Sequence, residues 1–451
     1  MQRSAWRLLA LISLIGFRAL SPAETRARYG GTLVLEIHEA ITFADPGDWP
    51  PSLVPLVYDG LVRLDAQGRP RPALALAWQH DPENKRWEFQ LRPGVKFHDG
   101  MPVNAAAVAA CLKLGVHAAV SGEGGTVVIQ QEIPAPDLPA TLADARFVIL
   151  RRGADGVTSG SGPYRIAEWQ AGRHAVLAAN ADYWGGRPFL DGIELRMFRA
   201  YRDQSADLEL GKADVVELSI EDVRRAAQRG LRTWTSLPSD LVALAFERGR
   251  APGENISFRQ AVALSVDRDA IHNVLLQRQG ESTGALLPQW ITGYAFLFPA
   301  TRDIERARLM AAAVPKPGPR ATLSYDPADT LSRSIAERIA LDAREAGVLI
   351  QLAPGGQADM RIARVPRRSP DPALALLDLA AVFHFGELIE PPAVAAEARY
   401  RAEKKVINDF RVIPLCDLPE ILGISLRVRN WEPLRWGDWR LDNVWVEPRT
   451  P

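Results

Sequence analysis

The sequence predicts a mixed α/β protein with more than one domain, on the basis of its length and its periodicity. The chain has 451 residues, which is more than one hydrophobic core usually covers, so two or three domains are expected. Segments with strand periodicity alternate with helical segments and with several hairpins along most of the chain, which is typical of mixed α/β folds. Hydrophobic residues make up 47% of the sequence and charged residues 24%, as in ordinary globular proteins.

In the first half of the chain most predicted elements are strands. Residues 87–91 alternate strictly between apolar and polar side chains, and a turn with proline and glycine follows them. An alanine-rich segment after Asn104 predicts a helix, because the asparagine side chain can cap its first turn. Residues 163–179 predict a hairpin. Further strands are predicted at residues 32–37, 126–130, 146–150, 193–198 and 213–218.

Helical periodicity is more frequent in the second half of the chain. Residues 258–276 predict two helical segments that meet at Asp267, whose carboxylate would accept backbone N–H bonds at the start of the second segment. Asp303 opens another predicted helix in the same way. Residues 331–347 form an amphipathic helical pattern, and the apolar run at residues 348–352 predicts a strand after it.

The N-terminus has the pattern of a secretory signal sequence. Arg3 and Arg7 precede an apolar run at residues 8–17, and small residues up to Ala23 follow it. The run is too short to span a bilayer, and the pattern predicts export with cleavage after Ala23. No cysteine lies near that point, so we expect no lipid anchor and a periplasmic location. The alternative interpretation is an ordinary amphipathic N-terminal helix.

Charge and cysteine content exclude several classes of function. Lysine plus arginine and aspartate plus glutamate both total 54, so no bulk field attracts nucleic acid or an anionic membrane. Cys111 and Cys416 are too few for a disulfide scaffold or a zinc site. Two free buried thiols are the favoured interpretation of this pair, and a bridge is the alternative.

No segment of the sequence carries a recognisable catalytic motif. There is no G-x-S-x-G, no P-loop and no G-x-G-x-x-G after a strand, and the histidines show no metal-binding spacing. Neither cysteine has an activating context in the sequence. We therefore predict a protein that is not an enzyme, with no catalytic residue, no metal site and no cofactor.

Four blocks of sequence resemble one known family. The second block is the most specific, because a strand, an Arg-Pro-Gly turn and an Asp-Gly turn follow each other in a fixed order. In order and rough spacing the blocks are similar to family 5 extracellular solute-binding proteins, which include oligopeptide, dipeptide and nickel binders. The blocks are VYDGLVRLD at residues 57–65 with PALALAW at 72–78, WEFQLRPGVKFHDGMP at 87–102, SGPYRIAEW at 161–169 with NADYWGG at 180–186, and FRQAVALSVDRDAI at 258–271.

The resemblance implies the two-lobed fold of periplasmic binding proteins, of the class II type, with a small extra subdomain in the first lobe. After a signal peptide at residues 1–23, the first lobe would cover residues 24–238, with the subdomain at about 46–158. The second lobe would cover residues 239–413, and residues 414–451 would return to the first lobe. Two crossings between lobes would produce a hinged pair.

The resemblance also implies a function. Members of the family capture a small solute between the lobes, so this protein is expected to bind a peptide or similar small solute in the periplasm. It would deliver that solute to the permease of an ABC importer in the inner membrane, and we expect it to be a monomer. The segments at residues 114–153 and 358–409 are shorter than is typical. This leaves open a divergent member with a sensory, chaperone or metal- or haem-handling role.

Five residues outside the four blocks are candidates for ligand contact. The resemblance implies that Asp371, in an aspartate–proline segment, supplies an acid for a ligand amine. Asp371 could equally cap the helix that follows it. Trp49 lies in a turn-rich loop, and Trp234, Phe246 and Arg248 flank the implied first crossing. The alternative interpretation of the tryptophans is core packing, and that of Arg248 is a solvated loop charge.

Overall fold

Most of the chain is described by a computed structural model, namely residues 27–113, 115, 118–153, 158–315, 318–367, 369–388 and 396–449. The predicted signal sequence lies outside these residues. Two lobes, each with a hydrophobic core, lie at the two ends of a pair of long antiparallel strands. A smaller sheet forms a third core beside the first lobe.

Strands account for most of the first half of the described chain. Their bounds agree with the predicted ones to within a few residues for most segments, because alternating side chains mark a strand with one buried face. In chain order the strands are β1 (Thr32–Glu36), β2 (Val62–Leu64), β3 (Pro70–Pro72), β4 (Ala75–His80), β5 (Arg86–Leu91), β6 (Ala119–Glu123), β7 (Thr126–Gln130), β8 (Arg151–Arg152), β9 (Thr158–Ser159), β10 (Tyr164–Gln170), β11 (His174–Ala179), β12 (Gly192–Arg196), β13 (Val215–Glu217), β14 (Arg232–Phe246), β15 (Glu281–Ser282), β16 (Arg320–Ser324), β17 (Leu349–Leu352), β18 (Met360–Pro366), β19 (Val412–Ile424), β20 (Val428–Arg429) and β21 (Trp445–Val446).

Several helices begin at a residue whose side chain caps the first turn. Asn104, Asp267 and Asp303 each accept a backbone N–H bond from the residue three positions later, as the sequence predicted. In chain order the helices are α1 (Ala105–Leu112), α2 (Leu138–Thr141), α3 (Tyr201–Glu209), α4 (Ile220–Gln228), α5 (Ala251–Glu254), α6 (Ile256–Ser265), α7 (Arg268–Ala270), α8 (Gln289–Thr292), α9 (Ile304–Ala312), α10 (Thr330–Glu345), α11 (Pro372–Phe383) and α12 (Ala396–Asp409).

Short helical turns complete the regular structure, with 3-10 geometry at Pro46–Asp48, Val54–Leu56, Ala145–Phe147, Ala295–Leu297 and Gly386–Leu388, and π geometry at Ile271–Leu275. Across the residues that the structure describes, no helix has both the length and the apolar composition that crossing a membrane requires.

One continuous sheet runs through both lobes, and it contains eleven strands among the described residues. In the first lobe β1 lies between β12 and β13 and is parallel to both, while β10, β11 and β12 are antiparallel neighbours. In the second lobe β16 is parallel to β17 and β18, and β18 is antiparallel to β14. β14 and β19 join the two halves of the sheet.

The two joining strands are irregular where they pass from one lobe to the other. β14 and β19 are antiparallel along their length, but their register shifts around the pair formed by Pro238 and Pro419. Proline has no N–H to donate, so it interrupts the hydrogen bonds of a strand ladder. The pairing is therefore weakest at the crossing, which is where a hinge between lobes would bend.

The core of the first lobe is built from both ends of the chain. Trp49 and Tyr164 from the N-terminal part are buried together with Trp439 and Val446 from the C-terminal part. The Tyr164 hydroxyl donates a hydrogen bond to the carbonyl of Leu441 at 3.1 Å. The last described residues therefore pack on the first lobe.

The third core belongs to a small antiparallel sheet with the strand order β4-β5-β7-β6. Helix α1 packs on this sheet, and Trp87, Phe89 and Phe97 are among the buried side chains between them. Leu374 of the second-lobe helix α11 also packs against this core. The subdomain is thus in contact with the second lobe.

The sheet of the second lobe lies between two layers of apolar side chains. Val242, Leu244 and Phe246 of β14 belong to a core with α6 and α10, whereas Leu241 and Ala243 belong to a core with α11 and α12. Successive strand residues point to opposite faces of a sheet. Residues 241–246 of β14 therefore form a continuous apolar run, as expected of a strand segment buried on both faces.

Two local expectations need correction. Residues 146–150 were predicted as a strand, but Asp144 accepts hydrogen bonds from the backbone N–H and the Nε of Arg146 and closes a 3-10 turn instead. Both cysteines are free thiols, as favoured, although Cys416 is buried and Cys111 only half-buried. Burial raises the pKa of both thiols.

Candidate functional site

Two cavities lie side by side between the lobes. The first has a volume of about 460 Å³ and lies where β14 and β19 cross. The second has a volume of about 1380 Å³ and runs between the subdomain and helices α8 and α11. Trp290, Pro370 and Trp436 line both cavities, so the two adjoin one another between the lobes.

The first cavity, here called the acidic chamber, lies where parallel strands of both lobes end. β1 and β13 lead into His38 and Glu217 on one side, and β16 leads into Asp326 on the other. Open α/β sheets bind ligands in the loops beyond the carboxyl ends of such strands. The charged residues and histidine that line the chamber are His38, Glu39, Glu217, Glu221, Asp240, Asp326, Asp329, Arg364, Arg367 and Glu420.

The second cavity, here called the apolar groove, has a different lining. Small and apolar side chains dominate its walls. Its apolar residues include Leu64, Ala66, Ala118, Ala119, Ile133, Pro134, Ala135, Leu138, Ala140, Leu237, Ile291 and Leu374, and its charged residues are Glu132, Asp137, Asp371 and Arg399.

The backbone of β14 holds the two tryptophans at the junction of the chamber and the groove. The indole Nε1 of Trp290 donates a hydrogen bond to the carbonyl of Pro238 at 2.8 Å. The N–H of Leu237 donates to the carbonyl of Arg435 at 2.6 Å, next to Trp436. The ring of Trp290 and the backbone next to Trp436 are therefore held by the irregular crossing segment, so a movement of this segment would move both.

One arginine of the acidic chamber is already paired. Arg364 forms a salt bridge with Asp240 at 2.8 Å, across the pair of strands β14 and β18. Burial opposes the charge of Arg364, but the carboxylate of Asp240, together with Tyr201 and Asp329, outweighs it and raises the pKa of the guanidinium. Arg364 therefore stays charged, and Asp240 neutralises it.

Two glutamates of the chamber are perturbed by their surroundings. Burial raises the pKa of Glu217, although the backbone N–H of His38 donates to its Oε2 at 2.6 Å. Burial also raises the pKa of Glu420 well above its ordinary value, and the neighbouring carboxylates of Glu217 and Asp240 raise it further. The three side chains come from β13, β14 and β19 and converge at the crossing.

The other arginine of the chamber wall is buried in a network behind it. The side chain of Arg367 is 0% exposed and that of Asp417 is 1% exposed. Arg367 donates from Nη2 to Asp417 at 2.6 Å, and from Nε and Nη2 to the carbonyl of Leu286. Its charge is therefore already satisfied by Asp417 and by the carbonyl of Leu286.

Metal-binding geometry is missing from the part of the chain that the structure describes, where no three His, Cys, Asp or Glu side chains converge to hold an ion.

A comparison with protein-family models places the chain in a family. Residues 69–375 match the model of bacterial extracellular solute-binding proteins, family 5 Middle. The chain belongs to family 5. The match covers more than half of the chain and includes most of the subdomain and most of the second lobe.

Curated relatives support the same assignment. The nickel-binding periplasmic protein of Escherichia coli strain K12 is 26% identical over 342 residues, which cover 66% of this chain and 65% of that protein. The probable D,D-dipeptide-binding periplasmic protein DdpA of the same organism is 24% identical over 321 residues, which cover 64% of this chain and 61% of that protein. The match thus spans slightly less than two thirds of the length of either relative.

Solved structures of similar proteins confirm the fold. The periplasmic binding protein DppA from Helicobacter pylori, in complex with the peptide STSA, superposes with a TM-score of 0.79 at 18% sequence identity. The alignment covers 94% of this chain and 99% of that one. The predicted two-lobed α/β fold of periplasmic binding proteins is therefore confirmed.

Two of the family 5 sequence blocks meet in the structure at Asp59. The Asp59 carboxylate accepts hydrogen bonds from Ser161 at 2.9 Å, Trp184 at 2.9 Å and Tyr183 at 3.3 Å. Gly162 of the third block passes so close to Val57 that a Cβ there would lie 2.6 Å from its carbonyl carbon. These blocks join the first lobe to the subdomain, which is a structural role.

Four of the five predicted ligand contacts lie away from the acidic chamber and the apolar groove. Trp49 is buried and stacks on Trp169 with ring centroids 5.7 Å apart. Trp234 packs against the core of the first lobe, and Phe246 lies in the core of the second. Arg248 forms a surface ion pair with Glu387. No ligand contact is shown for these residues.

The fifth predicted contact, Asp371, lies in the wall of the apolar groove. Its Oδ1 accepts backbone N–H bonds from Ala373 at 2.8 Å and Leu374 at 3.2 Å, so it caps α11. Its Oδ2 accepts a hydrogen bond from the hydroxyl of Thr141 in the subdomain at 2.7 Å. Both oxygens are engaged, and the pairing of Asp371 with a ligand amine stays a prediction.

Replacing Asp371 separates the capping role from a ligand role. Asp371→Asn should change the free energy of unfolding by less than about 1 kcal/mol, because asparagine caps helices about as well as aspartate. Asp371→Ala should cost about 1 kcal/mol, since it leaves the two N–H groups without the cap. Urea denaturation of both variants measures this. A variant Asp371→Asn that keeps its stability but loses ligand affinity would instead assign the carboxylate to the ligand.

Sequence reasoning missed the residues that line the acidic chamber. Glu217 lies at the end of β13, whereas Asp240 and Glu420 lie within β14 and β19, and nothing in their local sequence distinguishes them. Trp290 follows Pro288 at the start of a short helix and also lacks a local signal. The available signal was positional, because acids that follow or interrupt apolar strands gather at one edge of a sheet.

Proposed function

We propose that this protein captures a small solute, such as a peptide, between its two lobes and delivers it to the permease of an ABC importer in the inner membrane. The two adjoining cavities between the lobes, together called the cleft, carry this proposal, because residues of both lobes line them. We also propose a periplasmic location, supported by the predicted signal sequence at residues 1–23, and a monomeric state. The proposed function is binding, with no covalent chemistry.

The proposed boundaries of the lobes lie near the points where β14 and β19 pass from one lobe to the other. We propose a first lobe at residues 24–238 with a subdomain at about 46–158, a second lobe at 239–413, and a return at 414–451. The register shift at Pro238 supports the first crossing, and the shift at Pro419, five residues after the proposed boundary, supports a second crossing in β19. The comparisons do not favour the alternative of a divergent member with a sensory, chaperone or metal- or haem-handling role in place of transport.

Ligand capture would close the cleft for a physical reason. A solute that contacts both walls stabilises only the state in which both walls reach it, so binding shifts the population of lobe arrangements. Closure also removes water from a polar ligand, whose charges must then be satisfied by the walls. A permease can distinguish the closed shape from the open one.

A peptide mixture should therefore stabilise and compact the protein. At a ligand concentration 100 times the dissociation constant, the free energy of unfolding should rise by about 2.7 kcal/mol. The radius of gyration from X-ray scattering should fall on binding. Isothermal titration with a library of di- to pentapeptides and native mass spectrometry of protein purified from the periplasm identify the bound solutes.

A matched pair of variants tests whether the cleft is the site. Ala140→Trp puts an indole into the apolar groove and should abolish binding. Ala312→Trp makes the same substitution at an exposed position outside both cavities and should bind like the wild type. Failure of every library member to bind the wild type, or unchanged binding by Ala140→Trp, would overturn the proposed function at this site.

A further inference from the structure

Helix α11 of the second lobe and the subdomain touch each other beside the apolar groove. The hydroxyl of Thr141 donates a hydrogen bond to Oδ2 of Asp371 at 2.7 Å. Nη2 of Arg146 donates to Oδ2 of Asp378 at 2.8 Å. Leu374 packs against the core of the subdomain. These three contacts are here called the latch, because each joins the subdomain to α11 or to the residue that caps it.

One side of α11 makes all the contacts of the latch. Asp371 caps the helix, and Leu374 and Asp378 follow it at a spacing that puts all three on one side. The residues of α11 that are buried in the second lobe lie on another side of the helix, and they are Ala375, Leu376, Leu379, Ala380 and Phe383. The helix is therefore fixed to the second lobe by one side and contacts the subdomain with the other.

The subdomain holds the donor groups of the latch in place. The Asp144 carboxylate is buried, and its Oδ1 accepts hydrogen bonds from the backbone N–H of Arg146 at 3.0 Å and from its Nε at 2.9 Å. Thr141 ends helix α2, whose Leu138 is buried in the core of the subdomain. Both donors therefore come from backbone that is anchored in the subdomain.

Bending of the crossing strands has to separate the two sides of the latch. The register of β14 and β19 shifts at Pro238 and Pro419, so their ladder resists bending least at this point. The subdomain moves with the first lobe, because the hydrogen bonds of Asp59 join the two. A rotation that widens the groove between the subdomain and α11 therefore breaks the contacts of Thr141 and Arg146.

The latch is narrow, so it can open without unfolding either lobe. Thr141 and Asp371 line the apolar groove. Arg146 and Asp378 line a separate cavity of about 460 Å³. The side chains of this ion pair are 32% and 30% exposed, and such pairs are weak and screened by salt. All three contacts join protein groups to each other, so the latch needs no ligand to form.

We propose that the latch keeps most of the ligand-free protein closed and that its opening limits how fast a solute enters and leaves the cleft. Thr141, Arg146 and Asp378 are then positioning residues, which act on the arrangement of the lobes. The effect on the ligand-free protein is independent of the proposed function, whereas the effect on solute exchange rests on it.

A latch of this kind has a distinct kinetic signature. It stabilises the closed arrangement both with and without a solute, so its removal raises the open fraction in both cases. Solute enters and leaves through the open arrangement, and association and dissociation should therefore both become faster. A damaged binding site would instead speed dissociation and leave association unchanged.

Removing both polar bonds tests the inference on the intact chain. Thr141→Val with Asp378→Ala removes them and keeps the cap that Asp371 provides and the bond between Asp144 and Arg146. X-ray scattering of ligand-free protein, refolded from urea to release any bound solute, should give a larger radius of gyration for this variant than for the wild type. Raising the salt concentration should increase the radius of the wild type and leave that of the variant unchanged, because salt screens the ion pair.

The exchange of peptides gives the second measurement. Stopped-flow mixing with the library of di- to pentapeptides, followed by tryptophan fluorescence, measures both rate constants, because Trp290 and Trp436 line the cleft. In the variant the dissociation rate constant should rise by about tenfold and the association rate constant by at least about threefold. The fall in the radius of gyration on adding peptides should be larger in the variant than in the wild type.

The matched control makes the same two changes at exposed positions. Thr301→Val with Glu337→Ala alters residues outside both cavities of the cleft, and the Glu337 side chain is 51% exposed. This control should match the wild type in radius and in both rate constants. Thermal unfolding of each variant checks that it folds. If the double variant of the latch does not fold, Thr141→Val alone replaces it, with a smaller change in the same directions.

The outcomes separate the latch from the proposed function. Equal radii of the ligand-free variant and the wild type would overturn the inference, whether or not peptides bind. Faster dissociation with unchanged association would also overturn it, because the two bonds would then serve the binding site and not the closure of the lobes. A larger radius of the variant, together with no binding by any peptide, would support the latch and overturn the proposed function.

Discussion

Arg367→Met should destabilise the protein by about 3–5 kcal/mol, because it leaves a buried carboxylate without its partner. The Arg367 side chain is 0% exposed, and its Nη2 donates to Asp417 at 2.6 Å. Methionine fills a similar volume but offers no donor. Burial already raises the pKa of Asp417 to about 6 despite the arginine, so without the arginine its ionised form would be still more costly.

The network also links β14 and β19 to the segment that contains Leu286. Arg367 donates to the carbonyl of Leu286 from Nε at 2.9 Å and from Nη2 at 2.7 Å, and its backbone N–H donates to the carbonyl of Ser239 at 3.0 Å. Ser239 belongs to the crossing strand β14 and Asp417 to β19. The substitution should therefore loosen the second lobe next to the hinge as well as lower the free energy of unfolding.

A second arginine on the same part of the chain provides the control. Arg361 lies on β18 and pairs with Glu247, with side chains 35% and 42% exposed. Arg361→Met should cost less than about 1 kcal/mol, as is usual for exposed ion pairs. Urea denaturation at neutral pH measures both variants. Equal losses in the free energy of unfolding would show that the buried ion pair contributes no more to stability than the exposed one.

Removing both partners distinguishes an unpaired charge from a lost contact. The double variant Arg367→Met with Asp417→Asn should be more stable than Arg367→Met alone, because no buried charge remains without a partner. A double variant that is less stable than either single one would mean that packing, and not the charge, dominates at this site.

Local signals were enough to predict most elements of the fold. The caps at Asn104 and Asp267 could be predicted because a short polar side chain just before an apolar helical pattern commonly caps the first turn of the helix. The helix Thr330–Glu345 could be predicted because its buried residues recur at helical spacing in the sequence. The turn at residues 146–150 was missed because the same apolar residues suit a strand, and the hydrogen bonds of Asp144 decided the outcome.

The candidate site could not be predicted in the same way, because its residues come together only where β14 and β19 pass between the lobes. Glu217 and Glu420 are separated by about 200 positions in the sequence and meet only when β13 and β19 pair. The aromatic candidate Trp49 was predicted from a loop-rich context, yet its ring stacks on Trp169, which comes from a strand far along the chain. Burial of an aromatic residue depends on such distant partners, so local composition did not reveal it.

The second large effect is expected at Glu403, whose carboxyl group should make stability depend on pH. Glu403 lies on α12 and is 0% exposed. Its Oε1 accepts backbone N–H bonds from Leu286 at 2.6 Å and Leu287 at 3.0 Å. Burial raises the pKa of Glu403 from 4.5 to about 7, although these N–H groups and the charge of Arg367 act in the opposite direction.

A raised carboxyl pKa means that the folded protein still holds a proton where the unfolded chain has lost it. The stability that this provides is fully present below about pH 4.5 and is lost as the pH rises to about 7. A difference of this size between the folded and unfolded pKa corresponds to about 3 kcal/mol. The loss should be complete above pH 7, where Glu403 is ionised in both states.

Glu403→Gln should remove this dependence, because an amide cannot ionise and its oxygen can still accept both N–H bonds. Relative to the wild type, the variant should therefore gain about 3 kcal/mol between pH 4.5 and pH 8. Urea denaturation of both proteins at a series of pH values measures the difference. Every other titrating group, including Asp417, contributes equally to both proteins and cancels.

Glu254→Gln is the matched control, because the pKa of Glu254 moves in the other direction. Hydrogen bonds from Arg411 and from the N–H of Gly249 lower the pKa of Glu254 to about 2, so its contribution is lost only as the pH falls below 4.5. Its stability difference from the wild type should be flat between pH 4.5 and pH 8. A flat difference for Glu403→Gln as well would mean that Glu403 does not titrate in this range and that water or another group satisfies its charge.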